Sequence, residues 1–162
     1  MSLRVMQFVA IVLTALALVP AGAHLLELPG KLALSREEYL IVQDIYRGWA
    51  LLGFVIVGAV TANLVLAVML HGGGRHFALA CLAFLLVTAA LAAFFLGAFP
   101  VNQQTQNWTF MPNDWRALRL QWEYGHAIGA ALTLLALCSL VLEAVLPRAR
   151  PGRSGTQGIA GD

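Results

Sequence analysis

Charge is scarce in this chain. Asp, Glu, Lys and Arg make up only 11% of its 162 residues, and the formal net charge is +2. A surface that poor in charge does not suit a soluble domain, and so small and scattered an excess of cations does not suit nucleic acid. Cysteine is scarcer still. Cys81 and Cys138 both lie inside apolar stretches, and neither belongs to a Cys-x-x-Cys pair. That argues against a thiol oxidoreductase and leaves the two as small apolar packing residues. What is abundant is hydrophobic residues, 60% of the chain, the composition of a membrane protein.

About 20 helical residues cross a bilayer core. Four apolar runs reach that length, at 4–26, 48–70, 77–99 and 118–146. The predicted fold class is therefore all-α: an integral membrane four-helix bundle with a short helix after span one and a lid-like loop between spans three and four. Residues 1–146 form the four-span domain, and the Gly-, Pro-, Arg- and Ser-rich stretch 147–162 is expected to be a disordered tail. The first run also has features of a signal peptide, with Arg4 as basic region and Ala21-Gly22-Ala23 as cleavage site. Its length and Pro20 favour a retained span.

The connectors differ in character. Pro29-Gly30 is expected to end the first helix, and Ser35 with Glu38 forms a capping box that starts a short helix running almost directly into Trp49. His71-Gly-Gly-Gly-Arg-His76 reads as a tight connector with solvated histidines. The loop from Phe99 to Trp115 is polar yet carries Trp108, Phe110 and Trp115, so it is expected to fold over the end of the bundle, with Asp114 or Asn113 capping the last helix. Asn107-Trp-Thr109 matches a glycosylation acceptor, a pattern common by chance. Gly125-x-x-x-Gly129, Gly58-x-x-x-Ala62 and Ala93-x-x-x-Gly97 allow close helix approach, and Asn63 in mid-membrane is expected to bond between helices.

Lys and Arg number five on each side of the predicted spans, so the positive-inside rule ties on counts. One group (Arg4, Arg75, Arg148, Arg150, Arg153) stands almost free of acids. On that ground both termini are assigned to the cytoplasm of a bacterial inner membrane, with the long loops outside.

Chemistry concentrates at the start of the last span. Trp115, Arg119, Trp122 and His126 follow at i, i+4, i+7 and i+11, one stripe of a helix. An interfacial aromatic belt with a snorkelling arginine is the plainer reading of the tryptophans and Arg119. Glu123 precedes His126 by three residues, and His24 precedes Glu27 by three. In alternating spans the two pairs lie at the same end and similar depth. Two His and two carboxylates, His24, Glu27, Glu123 and His126, are the inventory of an iron, zinc or manganese site. A metal-free hydrogen-bonded cluster is the alternative, as is the case in which the pairs never meet. Without metal, a neutral His held by a carboxylate is a general base, with Glu123, His24 and His126 as the catalytic candidates. Arg119, Trp122, Asn102 and Tyr46 could orient a flat aromatic and stabilise an enolate-like anion.

Pro100-x-Asn102, Trp108, Asp114-Trp115 and Arg119-x-x-Trp122-x-x-x-His126, set in a four-span chain of this length, resemble the small membrane family related to anthrone oxygenase. The resemblance spans most of the chain, and its sharp part is residues 99–126. Gly129 stands where many members carry an arginine. The resemblance implies a cofactor-independent oxygenase in which a base takes an acidic C–H proton from an anthrone-type polyphenol and the carbanion reacts with oxygen. It implies His126 as base, with Asn102, Arg119 and Trp122 in the pocket; Trp108, Trp115 and Tyr46 complete the aromatic lining. The expected partners are the bilayer and a lipophilic aromatic molecule, with no nucleic acid; homo-oligomerisation stays open. A non-enzymatic accessory or ligand-binding membrane protein is the competing reading, and a transporter is disfavoured by the shortage of mid-membrane charge.

Overall fold

The computed structural model describes residues 1–148; the expectation of a disordered tail falls mostly outside them. Helix α1 spans Leu3–Ala33, α2 Arg36–Gln43, α3 Gly53–Met69, α4 Arg75–Ala93, α5 Phe99–Gln104 and α6 Trp115–Val145. Among the described residues the structure is all-α. Four continuous helical segments, Leu3–Ala33, Trp49–Met69, Arg75–Gln104 and Trp115–Val145, are long and apolar enough to cross a membrane. They form a four-helix membrane bundle in which α1 and α4 each pack against both α3 and α6.

Pro29-Gly30 does not end α1, which runs on to Ala33. The added turn carries Lys31 into the bundle, where it is buried. At about 1.5 Å per residue, α1 and α6 are roughly 45 Å long, well beyond a hydrocarbon core of about 30 Å. Each is therefore long enough to extend beyond the core at one end or both.

The short helix α2 is set by its capping box. Ser35 Oγ accepts from the Glu38 N–H at 3.3 Å, and Glu38 Oε2 accepts from the Ser35 N–H at 2.8 Å. Those bonds hold the Glu38 carboxyl below its usual range. The chain then passes through a 3₁₀ turn at Asp44–Tyr46 and a left-handed Gly48 (φ 89°). A second 3₁₀ turn, Trp49–Leu52, leads into α3. Only glycine adopts such a φ at low cost, and the sharp turn brings Trp49 back against α1.

Segment 75–104 is not one regular helix. A π-helical stretch at Phe94–Ala98 joins α4 to α5. Here α6 comes closest: a Cβ on Gly97 would lie 3.0 Å from the Gly125 Cα, and one on Gly125 3.2 Å from the Ala98 nitrogen. The small-residue expectation holds at Gly125. Asn63 donates to Thr14 Oγ1 at 3.0 Å, the interhelical bond expected of it.

After α5 the chain turns through Gln106, Asn107 and Trp108, all at positive φ. Trp108, Met111 and Trp115 are buried with Tyr39 over the end of the bundle. Arg36 pins this lid to α2 by donating to the Met111 carbonyl at 2.7 Å. Asp114 precedes α6, but its side chain makes no capping bond; its backbone carbonyl accepts from the Ala117 N–H instead.

Candidate functional site

The amino group of Lys31 is the centre of the cluster under the lid. Lys31 is the only lysine in the chain. It follows His24 by seven residues and Glu27 by four, so all three lie on one stripe of α1. Its Nζ lies 2.8 Å from Glu123 Oε2 and 3.7 Å from Glu27 Oε2. It also donates to His24 Nδ1 and to the Tyr46 hydroxyl, each at 3.3 Å. An ammonium only donates, so Nδ1 of His24 is the unprotonated nitrogen and Nε2 carries the proton. The Lys31 and Glu123 side chains are 4% and 0% exposed, so this ion pair is desolvated. Removing one partner of such a pair costs far more than the pair contributes net.

The tyrosines complete the polar shell. Tyr39 donates to Glu123 Oε1 at 2.9 Å, and Tyr46 donates to Glu27. Burial, reinforced by the Glu123 carboxylate, raises the Tyr39 phenol well above its ordinary value. Burial and the bond to Glu27 do the same for Tyr46. Both stay protonated donors throughout the range in which the protein would work.

Aromatic rings enclose the charge. The His24 and His126 rings lie 4.2 Å apart between centroids and are tilted by 31°. Trp122 packs edge-on to both, at 5.0 and 4.3 Å. Tyr46 and Trp49 close the other side of His24 at 4.5 and 5.6 Å. The Trp122 indole is oriented by Asn102, whose Oδ1 accepts its N–H at 2.7 Å. His126 is half-buried, and among the described residues its ring has no hydrogen-bond partner.

The expectation of a metal held by His24, Glu27, Glu123 and His126 is overturned. Among the described residues no group of three or more His, Cys, Asp or Glu could hold a metal ion. The physical reason is Lys31. The two carboxylates converge, but on its ammonium, and a cation already stands where a metal would have to sit. The expected Glu–His pairing within each helix is replaced by carboxylate–lysine and carboxylate–tyrosine bonds.

The other sequence candidates form the roof. The Arg119 guanidinium stacks on Trp115 at 4.7 Å and lies 5.4 Å from the Tyr39 ring. It donates to the carbonyls of Lys31 and Leu34 at 3.2 and 3.0 Å. Both carbonyls stand at the end of α1, where the helix supplies no i+4 donor and the Lys31 carbonyl has only a long bond from the Leu34 N–H at 3.4 Å, so Arg119 caps that helix and fixes Lys31. Trp108 stands edge-on to Tyr39 at 5.0 Å and 6.2 Å from Trp122. Trp115 and Trp108 thus reach the inner ring only through Tyr39 and Trp122.

A second buried polar cluster lies at the opposite end of the bundle. Glu143 is fully buried and accepts from Gln7 at 2.7 Å and from Arg148 at 2.8 Å. His76 Nδ1 lies 3.2 Å from the same carboxylate. The expectation of a solvated His76 is therefore corrected: it is 6% exposed, because α4 begins at Arg75 and turns the ring inward. His71 is exposed as expected.

Sequence reasoning missed Lys31, Tyr39 and Trp49 at the first cluster and Glu143 at the second. For Lys31 the signal was present: a lone lysine in phase with His24 and Glu27. Comparison with protein-family models, with curated proteins and with solved structures finds no match for this chain.

Proposed function

We propose that this protein is a membrane-embedded oxygenase acting on a lipophilic phenolic aromatic, with His126 as general base. The carrying observation is the unpartnered His126 ring, stacked on His24 beside a buried Lys31–Glu123 ion pair. A base must have a free nitrogen within reach of the proton it takes. The developing oxyanion needs a fixed cation in a water-poor site, where electrostatic stabilisation is strongest. Lys31 is a cation of that kind; its N–H groups and the Tyr46 O–H are committed to Glu123, His24 and Glu27, so Lys31 acts through its charge. Glu123 and Asn102 are positioning residues, acting through Lys31 and Trp122.

In the reaction His126 accepts an acidic C–H proton from the substrate and the carbanion reacts with molecular oxygen. Loss of water then turns the CH₂ group into a carbonyl, so one oxygen molecule yields one carbonyl and one water. The resemblance in residues 99–126 to the anthrone-oxygenase family supports this reaction type. In the sequence the stretches holding Arg4, Arg75 and Arg148 carry fewer acids than the stretches between spans one and two and before span four, which supports cytoplasmic termini and a site at the outer interface.

The test is oxygen uptake by the purified protein in nanodiscs with an anthrone as substrate. Uptake that falls at least about a hundredfold in His126→Ala is expected for loss of a general base. A folded wild type that consumes no oxygen with phenolic aromatics would sink the reading.

A second reading is favoured by the completeness of the Lys31 network, which has four polar partners. On it the cluster is a buried clamp between α1 and α6 in a non-enzymatic membrane accessory protein. No oxygen uptake by the folded wild type, together with loss of stability when Lys31 is removed, would favour it.

A further inference from the structure

Beside the cluster an apolar groove of about 250 Å³ is lined by Leu16, Val19 and Pro20 of α1 and by Trp49, Leu52 and Val55. Trp49 is common to both. Its indole is a wall of the groove, and its ring lies 5.6 Å from His24 and 5.0 Å from Tyr46. The groove and the polar cluster are therefore separated by one side chain. Trp49 holds that place because Gly48 reverses the chain and the 3₁₀ turn presses the indole towards α1. Pro20 lacks an N–H, so the Leu16 carbonyl on this wall has no i+4 backbone donor.

The wall residues Leu16, Val19 and Leu52 are exposed on the bundle surface, within the apolar spans, so the groove opens to the lipid. A larger groove of about 410 Å³, lined by residues such as Leu64, Phe77 and Phe84, shares no side chain with the cluster. The smaller groove lies below the roughly 300–1,000 Å³ of sites that enclose a whole small molecule. It suits one part of a ligand whose remainder sits elsewhere.

We propose that this groove holds the aliphatic tail of the substrate, which is then a phenolic ring system carrying an alkyl or isoprenoid chain. The inference rests on the oxygenase reading for the place of the ring, against His126 and Tyr46. The tail lies along Pro20 and Leu52 and leads into the bilayer. A lipid-borne substrate reaches the buried cluster sideways, past Trp49, without crossing the lid.

Binding is measured by calorimetry on the full chain in nanodiscs with two probes, 4-nonylphenol and the tail-less 1-naphthol. Circular dichroism verifies that each variant folds. The expected result is that Leu52→Trp, which fills the groove, weakens 4-nonylphenol about tenfold, the size of effect from losing burial of about two methylenes. The 1-naphthol affinity stays at the wild-type value. Val19→Trp, from the opposite wall, gives the same pattern and guards against a local defect of one variant. If wild type binds both probes and neither variant weakens 4-nonylphenol, the groove is overturned while the oxygenase reading stands. If methyl decanoate, a chain without a phenol, displaces 4-nonylphenol from the groove at equal concentration, the groove is a general lipid contact and the proposal fails. If the folded wild type binds neither probe, the site reading itself fails and takes the groove with it.

Discussion

Glu123 and Glu143 are both fully buried on α6, twenty residues and so about 30 Å apart, yet the bundle surrounds them differently. Glu143 meets an amide, an arginine and a histidine that ends its contacts there. Glu123 meets a lysine that passes on to His24, Tyr46 and Glu27, inside a ring of aromatic side chains. The first arrangement ties α1, α4 and the end of α6 together. The second holds a cation and two histidines against faces that a flat molecule could share. A buried carboxylate alone therefore does not mark a site; what its partner touches next does.

The largest effect that would break this comparison is on Lys31. In Lys31→Met, Glu123 is left buried without its cation, and a stability loss of about 3–5 kcal/mol is expected. Unfolding in mixed micelles measures it, and the double variant Lys31→Met/Glu123→Gln should recover much of the loss. Additive losses would mean that the two side chains are not coupled. Glu143→Gln should cost less, roughly 1–3 kcal/mol, because the amide keeps an acceptor oxygen for Gln7 or Arg148.

Packing separates the two ends as well. Gly125→Leu pushes a side chain into Gly97 and Ala98, where a Cβ already has 3.2 Å, and should destabilise by about 1–3 kcal/mol. Gly58→Leu, whose Cβ would meet only the Leu13 side chain at 3.6 Å, should cost little. Equal losses in the two variants would contradict the close α6 contact.

How much of this was legible follows from which residues carry it. The four spans could be read from hydropathy, because bilayer thickness fixes helix length. The α2 start could be read from Ser35 and Glu38, because a capping box is local chemistry. His24, Glu123, His126 and Trp122 could be placed at one end by phase and alternation alone. What the phase could not say is what stands between them. Pro29-Gly30 argued for a helix end, which would have left Lys31 in a loop, and with Lys31 set aside two His and two Glu read as a metal site. Tertiary packing under Arg119 carries α1 past that point. His76 was misread for a similar reason: neighbouring glycines signal a loop, while its buried partner Glu143 is distant in sequence.

Smaller effects sharpen the same contrast through pH. The Tyr39 and Tyr46 phenols are raised, so the folded protein keeps them protonated when the unfolded chain, titrating near about 10, has lost those protons. Their contribution is complete below that pH and is lost as pH rises above it. Unfolding should therefore become easier in alkali, and their phenolate absorbance should appear only together with unfolding. Phenolate formation by these two groups in the folded protein would contradict the bonds to Glu123 and Glu27. Glu38 behaves in the opposite sense. Its carboxyl is lowered, so its contribution is present above the ordinary carboxylate range and is lost as pH falls through the lowered value. Ser35→Ala should remove about 1 kcal/mol of helix capping and abolish the acid dependence that belongs to α2, read by amide hydrogen exchange of residues 36–43.

The central claim is that one end of the bundle is chemical and the other structural. Turnover per folded molecule tests it most directly: oxygen uptake with an anthrone by Glu123→Gln and Glu143→Gln, each normalised to its folded fraction. The account predicts that Glu123→Gln loses most of its uptake while Glu143→Gln keeps the wild-type rate. Equal loss in both variants, or wild-type uptake in Glu123→Gln, would contradict it.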